Sequence, residues 1–144
     1  MRTRTVRAVV AGRPVVGAPS TTSVEAAARL MKRKKVGALM VVDEGRLVGI
    51  FTERDALFRV IADDLDPRHT RLDRVMTRDP RTIDAEKPFA YALMMMHEGG
   101  FRHVPVIARG ELLGMVTARD ALAPELEEFR AEMLHREEIN KILG

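Results

Sequence analysis

Two stretches of the 144-residue chain combine residue types that suit an anionic sugar ligand. Gly49-Ile50-Phe51-Thr52-Glu53-Arg54-Asp55 and Gly114-Met115-Val116-Thr117-Ala118-Arg119-Asp120 share the pattern Gly-h-h-Thr-x-x-Asp, with h apolar. Each reads as the end of a buried strand running into the start of a helix. A helix N-terminus offers free N–H groups and a partial positive charge, which together favour an anion. The Thr hydroxyl can donate to a phosphate oxygen, and the Asp carboxylate can accept from both vicinal hydroxyls of a ribose. Arg54 and Arg119 lie between them in sequence and suit a bidentate clamp on phosphate. Phosphate, ribose and an apolar slot for a base together describe a nucleotide. Thr-x-x-Asp is also close to a capping box, Thr as N-cap and an acid at N3. The two occurrences, each after Gly and two apolar residues, favour the binding role.

No catalytic set accompanies these motifs. Cys is absent, so disulfides and thiolate metal sites are excluded. No Ser stands in a plausible His-Asp arrangement. His69, His97, His103 and His135 lack metal-ligand spacing. The acids of the two motifs have a binding role that needs no proton transfer, so neither an enzyme nor a catalytic cofactor is expected. The cysteine-free composition fits a reducing cytoplasm. The leading MRTRTVRAVV runs into no long apolar stretch, which argues against a signal peptide. No window approaches the run of about 20 apolar residues that a membrane helix needs.

The elements that must position the motifs come from an internal repeat. Gly45 to Leu57 matches Gly110 to Leu122 at an offset of 65 residues, with eight of thirteen positions identical. The match runs back through Val41-Val42 on Val106-Ile107, Met31 on Met96 and Ala27 on Ala92. A one-residue adjustment brings in Pro14 on Pro80 and Val9-Val10 on Val75-Met76. Residues 6–64 and 72–122 are therefore two copies of one unit, joined by the linker Leu65 to Arg71.

Each copy reads as helix, strand, strand, helix. In the first, Ser23 is the expected N-cap of a helix with Val24, Ala27, Leu30 and Met31 on its apolar side. The basic run Lys32 to Lys35 falls in its last turn, opposite the helix dipole. Strands are expected over Ala38 to Val42 and Leu47 to Thr52 around a turn at Asp43-Glu44-Gly45, then a helix over Glu53 to Asp63. The second copy has a helix over Phe89 to Glu98 stopped by Gly99-Gly100, strands over His103 to Ile107 and Leu112 to Thr117, and a helix from Ala118. Met94-Met95-Met96 reads as flexible core filler. Strands this short need a shared core. Residues 124–144 form a Glu- and Arg-rich tail, expected to be a separate helix opened by Pro124. Its thin seam of Leu126, Phe129, Met133, Ile139 and Leu143 suits packing on the module or on a second chain.

The double repeat, its length and both Gly-h-h-Thr-x-x-Asp motifs resemble the tandem CBS domain pair, or Bateman module. Val75-Met76-Thr77-Arg78-Asp79-Pro80 and Phe101-Arg102-His103-Val104-Pro105-Val106 are also typical of that family. The likeness covers residues 6 to 122, and the whole resembles a stand-alone bacterial CBS-pair protein. The resemblance implies an α/β (α+β) fold of two β-α-β-β-α units with pseudo-two-fold symmetry, here followed by a C-terminal helix. It implies two clefts for AMP, ADP, ATP or another adenosyl compound. It assigns Thr52 and Asp55 to one cleft, completed by Lys87, Phe101, Arg102 and His103 of the other repeat. It assigns Thr117 and Asp120 to the second, completed by Thr22, Val36, Gly37 and Ala38. The small Gly37-Ala38 pair leaves room for a purine, whereas Arg102-His103 is bulky and cationic.

The expected function is that of a nucleotide-sensing regulatory module. The resemblance also implies a homodimer, built through helix faces such as those of Leu57 and Ile61 or Leu93 and Met96, whose arrangement an unidentified regulated protein would read. The alternatives are a structural dimerisation module without ligand and a nucleic-acid-binding protein. The latter needs a concentrated basic face. Here 24 basic and 21 acidic residues are interleaved, for a net charge of +3.

Overall fold

A computed structural model describes residues 4–143. Met1 to Thr3, the start of the basic leading stretch, and Gly144, the last residue of the expected tail, lie outside the described residues. The chain begins with a short helix α1 (Val6–Val10), capped by the Thr5 side chain, which accepts from the Ala8 N–H at 3.2 Å. After β1 (Gly17–Ala18) comes α2 (Val24–Lys34), with Ser23 as its N-cap accepting from the Ala26 N–H at 3.1 Å. Its last turn carries Lys32, Arg33 and Lys34, where cations oppose the helix dipole.

Strands β2 (Ala38–Asp43) and β3 (Arg46–Thr52) form an antiparallel hairpin. The tight turn at Glu44-Gly45 requires positive φ at both residues, 49° and 75°. The second repeat copies this hairpin as β6 (His103–Ala108) and β7 (Glu111–Thr117), around Arg109 at φ 51° and Gly110 at φ 79°. Each hairpin carries the same register shift, between Val41 and Val42 in one and between Val106 and Ile107 in the other. Each also gains a short parallel strand at its edge: β1 on β2, and β5 (Ile83–Asp84) on β6. These added strands complete the β-α-β-β-α unit of a CBS domain, which the plain helix-strand-strand-helix reading lacked.

Between the repeats lie α4 (Leu72–Val75) and β4 (Thr77–Arg78), the latter paired to β3. The second repeat's helix α5 (Phe89–Gly99) ends at Gly100, whose φ of 71° suits the left-handed cap.

The two cores are assembled by exchange. Val24, Ala27, Met31, Leu39, Val41, Phe51 and Val60 of the first repeat enclose Leu72, Val75 and Met76, which open the second. Ile83, Phe89, Ala92, Met96, Val104, Val106 and Val116 of the second repeat enclose Val6, Val9 and Val10, which open the first. Backbone bonds pin both crossings. The Val6 and Arg7 N–H groups donate to the Lys87 and Ala85 carbonyls, and the Leu72 N–H donates to the Thr22 carbonyl. The sequence repeats at 6–64 and 72–122 are thus not the units that bury apolar surface.

Three expectations are corrected. The helix over Glu53 to Asp63 is a single turn, α3 (Glu53–Asp55), continued by a π-helix over Ala56–Ile61. Arg59 on that segment donates to the carbonyls of Val75 and Met76 at 3.2 and 3.1 Å, satisfying the end of α4. The helix from Ala118 is one 3₁₀ stretch, Ala118–Leu122, running directly into α6 (Ala123–Leu143). Pro124 sits in the first turn of α6, where its missing N–H has no intrahelical partner to lose. None of the described residues of α6 is buried. Met96 is a core residue, as its reading as core filler expects and its place on a dimer face does not, while Leu57 and Ile61 are exposed.

The exchange yields a test. Val6→Ala removes two methyls from a fully buried site and should cost about 2 kcal/mol of stability. Although Val6 opens the first repeat, hydrogen exchange should show lost protection chiefly in the second, over residues 103–117. Loss confined to residues 38–52 would contradict the assembly.

Candidate functional site

Both Thr-x-x-Asp motifs stand where a hairpin's last strand turns into a helix. The Thr52 N–H donates to Asp55 Oδ2 at 3.0 Å, and the Asp55 N–H donates to Thr52 Oγ1 at 3.1 Å. That is a complete capping box. The Thr117 N–H donates to Asp120 Oδ2 at 2.8 Å. Both carboxylates are buried, each with 8% of its surface exposed. A carboxylate held there must be hydrogen-bonded to stay charged, and the two meet this need differently. Among the described residues, only the Thr52 N–H is within hydrogen-bond reach of the Asp55 oxygens, with Arg59 Nε at 3.6 Å from Oδ1. Asp120 is gripped by Arg13, whose Nη1 donates to Oδ2 at 2.9 Å and whose Nη2 donates to Oδ1 at 2.6 Å. Arg4 Nη2 donates to the Asp120 carbonyl at 3.0 Å while stacking over Phe89. Burial alone would push the Asp120 carboxyl up. The hydrogen bonds from Arg13 and Thr117 outweigh it and hold the group below the ordinary carboxylate range.

The walls around each motif come first from its own repeat. Ala38 pairs with Thr52 across the ladder, and the Glu53 N–H donates to the Gly37 carbonyl at 2.9 Å. His103 pairs with Thr117, and the Ala118 N–H donates to the Arg102 carbonyl at 3.0 Å. Each motif's own repeat thus supplies its ladder partner, Gly37-Ala38 beside Thr52 and Arg102-His103 beside Thr117. The repeats do meet at His103, which lies within the electrostatic reach of Glu53 from the first repeat and of Asp120 from its own. Nor is the space beside Gly37 empty. A Cβ there would approach Glu53 Oε1 to 3.1 Å, so that carboxylate stands beside Gly37.

The remaining candidates are spread more widely. Arg54 stacks over Phe58 at 5.4 Å, and Lys87 Nζ lies 5.4 Å from the Tyr91 ring centre. Arg119 is exposed. Thr22 is half-buried and held by its backbone to Pro19 and Leu72. The Val36 N–H donates to the Met31 carbonyl, closing α2, and Phe101 packs against the second core. Arg13 and Glu53 were missed by sequence reasoning. Arg13 precedes Pro14 and stands 107 residues from its partner, so no local pattern links the two.

Two concavities lie elsewhere. One of about 260 Å³ sits between the hairpin turns, lined by Gly45, Arg46, Asp79, Pro80, Thr82 and Gly110 among others, and the other lies along Leu122, Leu126 and Phe129. Neither includes a Thr-x-x-Asp residue. Among the described residues no group of three or more His, Asp or Glu side chains is arranged to hold a metal. Nor is any helix among them long and apolar enough to cross a membrane.

The CBS domain family model matches residues 6–62 and 72–124. The chain belongs to the CBS domain family. It is similar to a CBS domain-containing protein of Arabidopsis thaliana, with 38% identity over 96 residues. The match spans 66% of this chain but only 18% of that much longer protein. Among solved structures, this CBS pair superposes on a putative signal-transduction protein with CBS domains from Burkholderia ambifaria. The TM-score is 0.81 and the identity 28%, over 86% of this chain and 95% of that one. It also superposes on the CBS domain pair of protein MJ0100, solved in complex with 5'-methylthioadenosine and S-adenosyl-L-methionine. There the TM-score is 0.77 and the identity 25%, over 88% and 99% of the two chains.

His103 provides a test of the site's electrostatics. Burial disfavours its charged form and lowers its pKa below 6.5, against the opposing pull of Glu53; Arg102 lowers it further. The unfolded chain then binds a proton that the folded chain refuses. This contribution to stability is complete above about pH 6.5 and is lost as pH falls toward the folded-state midpoint. NMR titration should place the His103 midpoint below 6.5. A midpoint above 6.5 would mean that Glu53 and Asp120 dominate instead.

Proposed function

We propose that this CBS pair is a regulatory module that binds an adenosyl ligand through Asp55 and Asp120 and signals by a change in helix arrangement. The observation that carries the reading is the duplicated capping box with a buried carboxylate at the same place in both repeats. The capping bond engages Asp55 Oδ2 and leaves Oδ1 without a hydrogen bond from the described residues, so that carboxylate retains the capacity to accept from a ribose hydroxyl. The similarity to the MJ0100 pair supports the ligand class, since both compounds bound there carry an adenosine. AMP, ADP and ATP share that moiety, and Arg54, Arg119, Lys87, Arg102 and His103 supply cationic groups that suit their phosphates. Thr22, Val36, Gly37, Ala38 and Phe101 supply the polar and apolar lining. A binding module of this kind performs no chemistry, and its mechanism is differential affinity for two arrangements of the repeats. The cysteine-free composition fits work in a reducing cytoplasm.

The capping geometry itself favours a second reading, in which Asp55 and Asp120 serve only structure. Calorimetry with AMP, ADP and ATP beside thermal melts separates the two. A hydrogen bond to a charged group contributes roughly 1.5–3 kcal/mol. Asp55→Ala and Asp120→Ala should therefore each weaken binding about ten- to a hundredfold at their own clefts. Purely capping acids would lose about 0.5–2 kcal/mol of stability and leave affinity alone. A 2′,3′-dideoxy nucleotide removes the proposed partner without altering the protein. Equal affinity for it and its parent would rule out the ribose contact.

The module is further proposed to work as a homodimer. Leu57, Phe58, Ile61, Leu122, Leu126 and Phe129 each expose more than half their surface. Apolar exposure on that scale marks an interaction surface. Light scattering at micromolar concentration should give a dimer mass. Removal of residues 124–144 should weaken the dimer while leaving nucleotide affinity within about twofold of the full chain. A monomer throughout would remove the dimer from the mechanism.

A further inference from the structure

We infer that Arg13 is a latch on the Asp120 cleft, occupying the carboxylate that ribose hydroxyls must reach, so that the Asp55 cleft fills first. The inference rests on the adenosyl-binding reading and gives it an order and a control element. Both Asp120 oxygens accept from Arg13, and Oδ2 accepts from the Thr117 N–H as well. Arg13 takes both oxygens, including Oδ1, the atom left open at Asp55, so ligand and guanidinium compete for it. The first repeat has no equivalent. The residue before Pro14 is Arg13, whereas the residue before the matching Pro80 is Asp79, an acid that cannot grip another carboxylate. The cation nearest Asp55 is Arg59, at 3.6 Å and already donating to the carbonyls of Val75 and Met76.

The latch is built to release. The Arg13 side chain is 40% exposed, so its charge can leave Asp120 and enter water. Gly12 at φ 77° and the Arg13 N–H bond to the Val10 carbonyl at 3.0 Å form the turn after α1, which sets the side chain over the cleft. Releasing Arg13 need not unseat α1, whose Val6, Val9 and Val10 stay in the second core. A cleft that is competent only when Arg13 is away shows an apparent affinity reduced by the fraction of time that it is away.

Adenosine tests the latch because it has the ribose but no phosphate for Arg13 to attract. Asp55→Ala removes the ribose contact of the first cleft and isolates the second. In that background, Arg13→Met should bind adenosine about tenfold more tightly in calorimetry. Arg13→Lys should fall between the two, since an ammonium is a point charge without the planar fork that holds both oxygens. Adding Asp120→Ala should abolish the remaining heat. Thermal melts of each variant identify any that is unfolded. If Arg13→Met does not fold, the Arg13→Lys comparison serves alone, with about threefold tightening expected. Unchanged or weaker adenosine binding on releasing Arg13, while the wild-type chain still binds through Asp55, would overturn the latch and leave the adenosyl reading standing. No heat with any variant or with the wild type would overturn both.

Discussion

Neither sheet can close its own core, and that shortage organises the molecule. Each hairpin offers one apolar face, covered by its own amphipathic helix, and a gap remains beside its last strand. The gap on β3 is filled by Leu72, Val75 and Met76, and β4 pairs with that strand. The corresponding gap in the second sheet is filled by Val6, Val9 and Val10. Because each filler belongs to the other repeat in sequence, neither repeat can be complete unless both are. Burial here also acts as a cross-link.

The same arrangement determines what surrounds the two carboxylates. Helix α1 must cross to the second core, and the chain that leaves it passes the Asp120 turn. Arg4 before the helix and Arg13 after it therefore reach Asp120 from both sides. The segment entering the first core has Asp79 in the place of Arg13, and so Asp55 remains without such a grip. Two copies of one motif acquire different electrostatics through their neighbours, with no change in the motif. Capping and ligand recognition are compatible in this geometry. The Thr N–H that fixes each carboxylate occupies Oδ2, and the Arg13 bonds to both oxygens of Asp120 are what distinguish the clefts.

Local chemistry made much of this legible in the sequence. Ser23 capping, the Asp43-Glu44-Gly45 turn, the strands and the stop at Gly100 are properties of a few adjacent residues, and the repeat showed the strands twice. The edge strands Gly17–Ala18 and Ile83–Asp84 are two residues long and carry no periodicity, so only the family resemblance supplied them. The exchange was not visible, because Val9-Val10 and Val75-Met76 read as apolar without saying which core they enter. Arg13 was missed for a related reason: an ion pair across 107 residues depends on tertiary path. The π-helical segment after Asp55 differs from an α-helix in hydrogen-bond register, which apolar spacing over six residues does not resolve.

Reciprocal filling also bears on how such a chain can arise. A lone ancestral unit of this design carries an opening helix that its own sheet does not accommodate, and an open groove that it cannot fill. Two identical copies would solve both problems by trading helices, so the same design is open to a swapped pair of short polypeptides. Fusing them through a seven-residue connector such as Leu65 to Arg71 makes the trade intramolecular and raises the effective concentration of each half for the other. Once fused, the halves are free to drift apart in sequence without losing their association. The divergence of Arg13 from Asp79 is a difference that a symmetric pair of identical chains cannot hold.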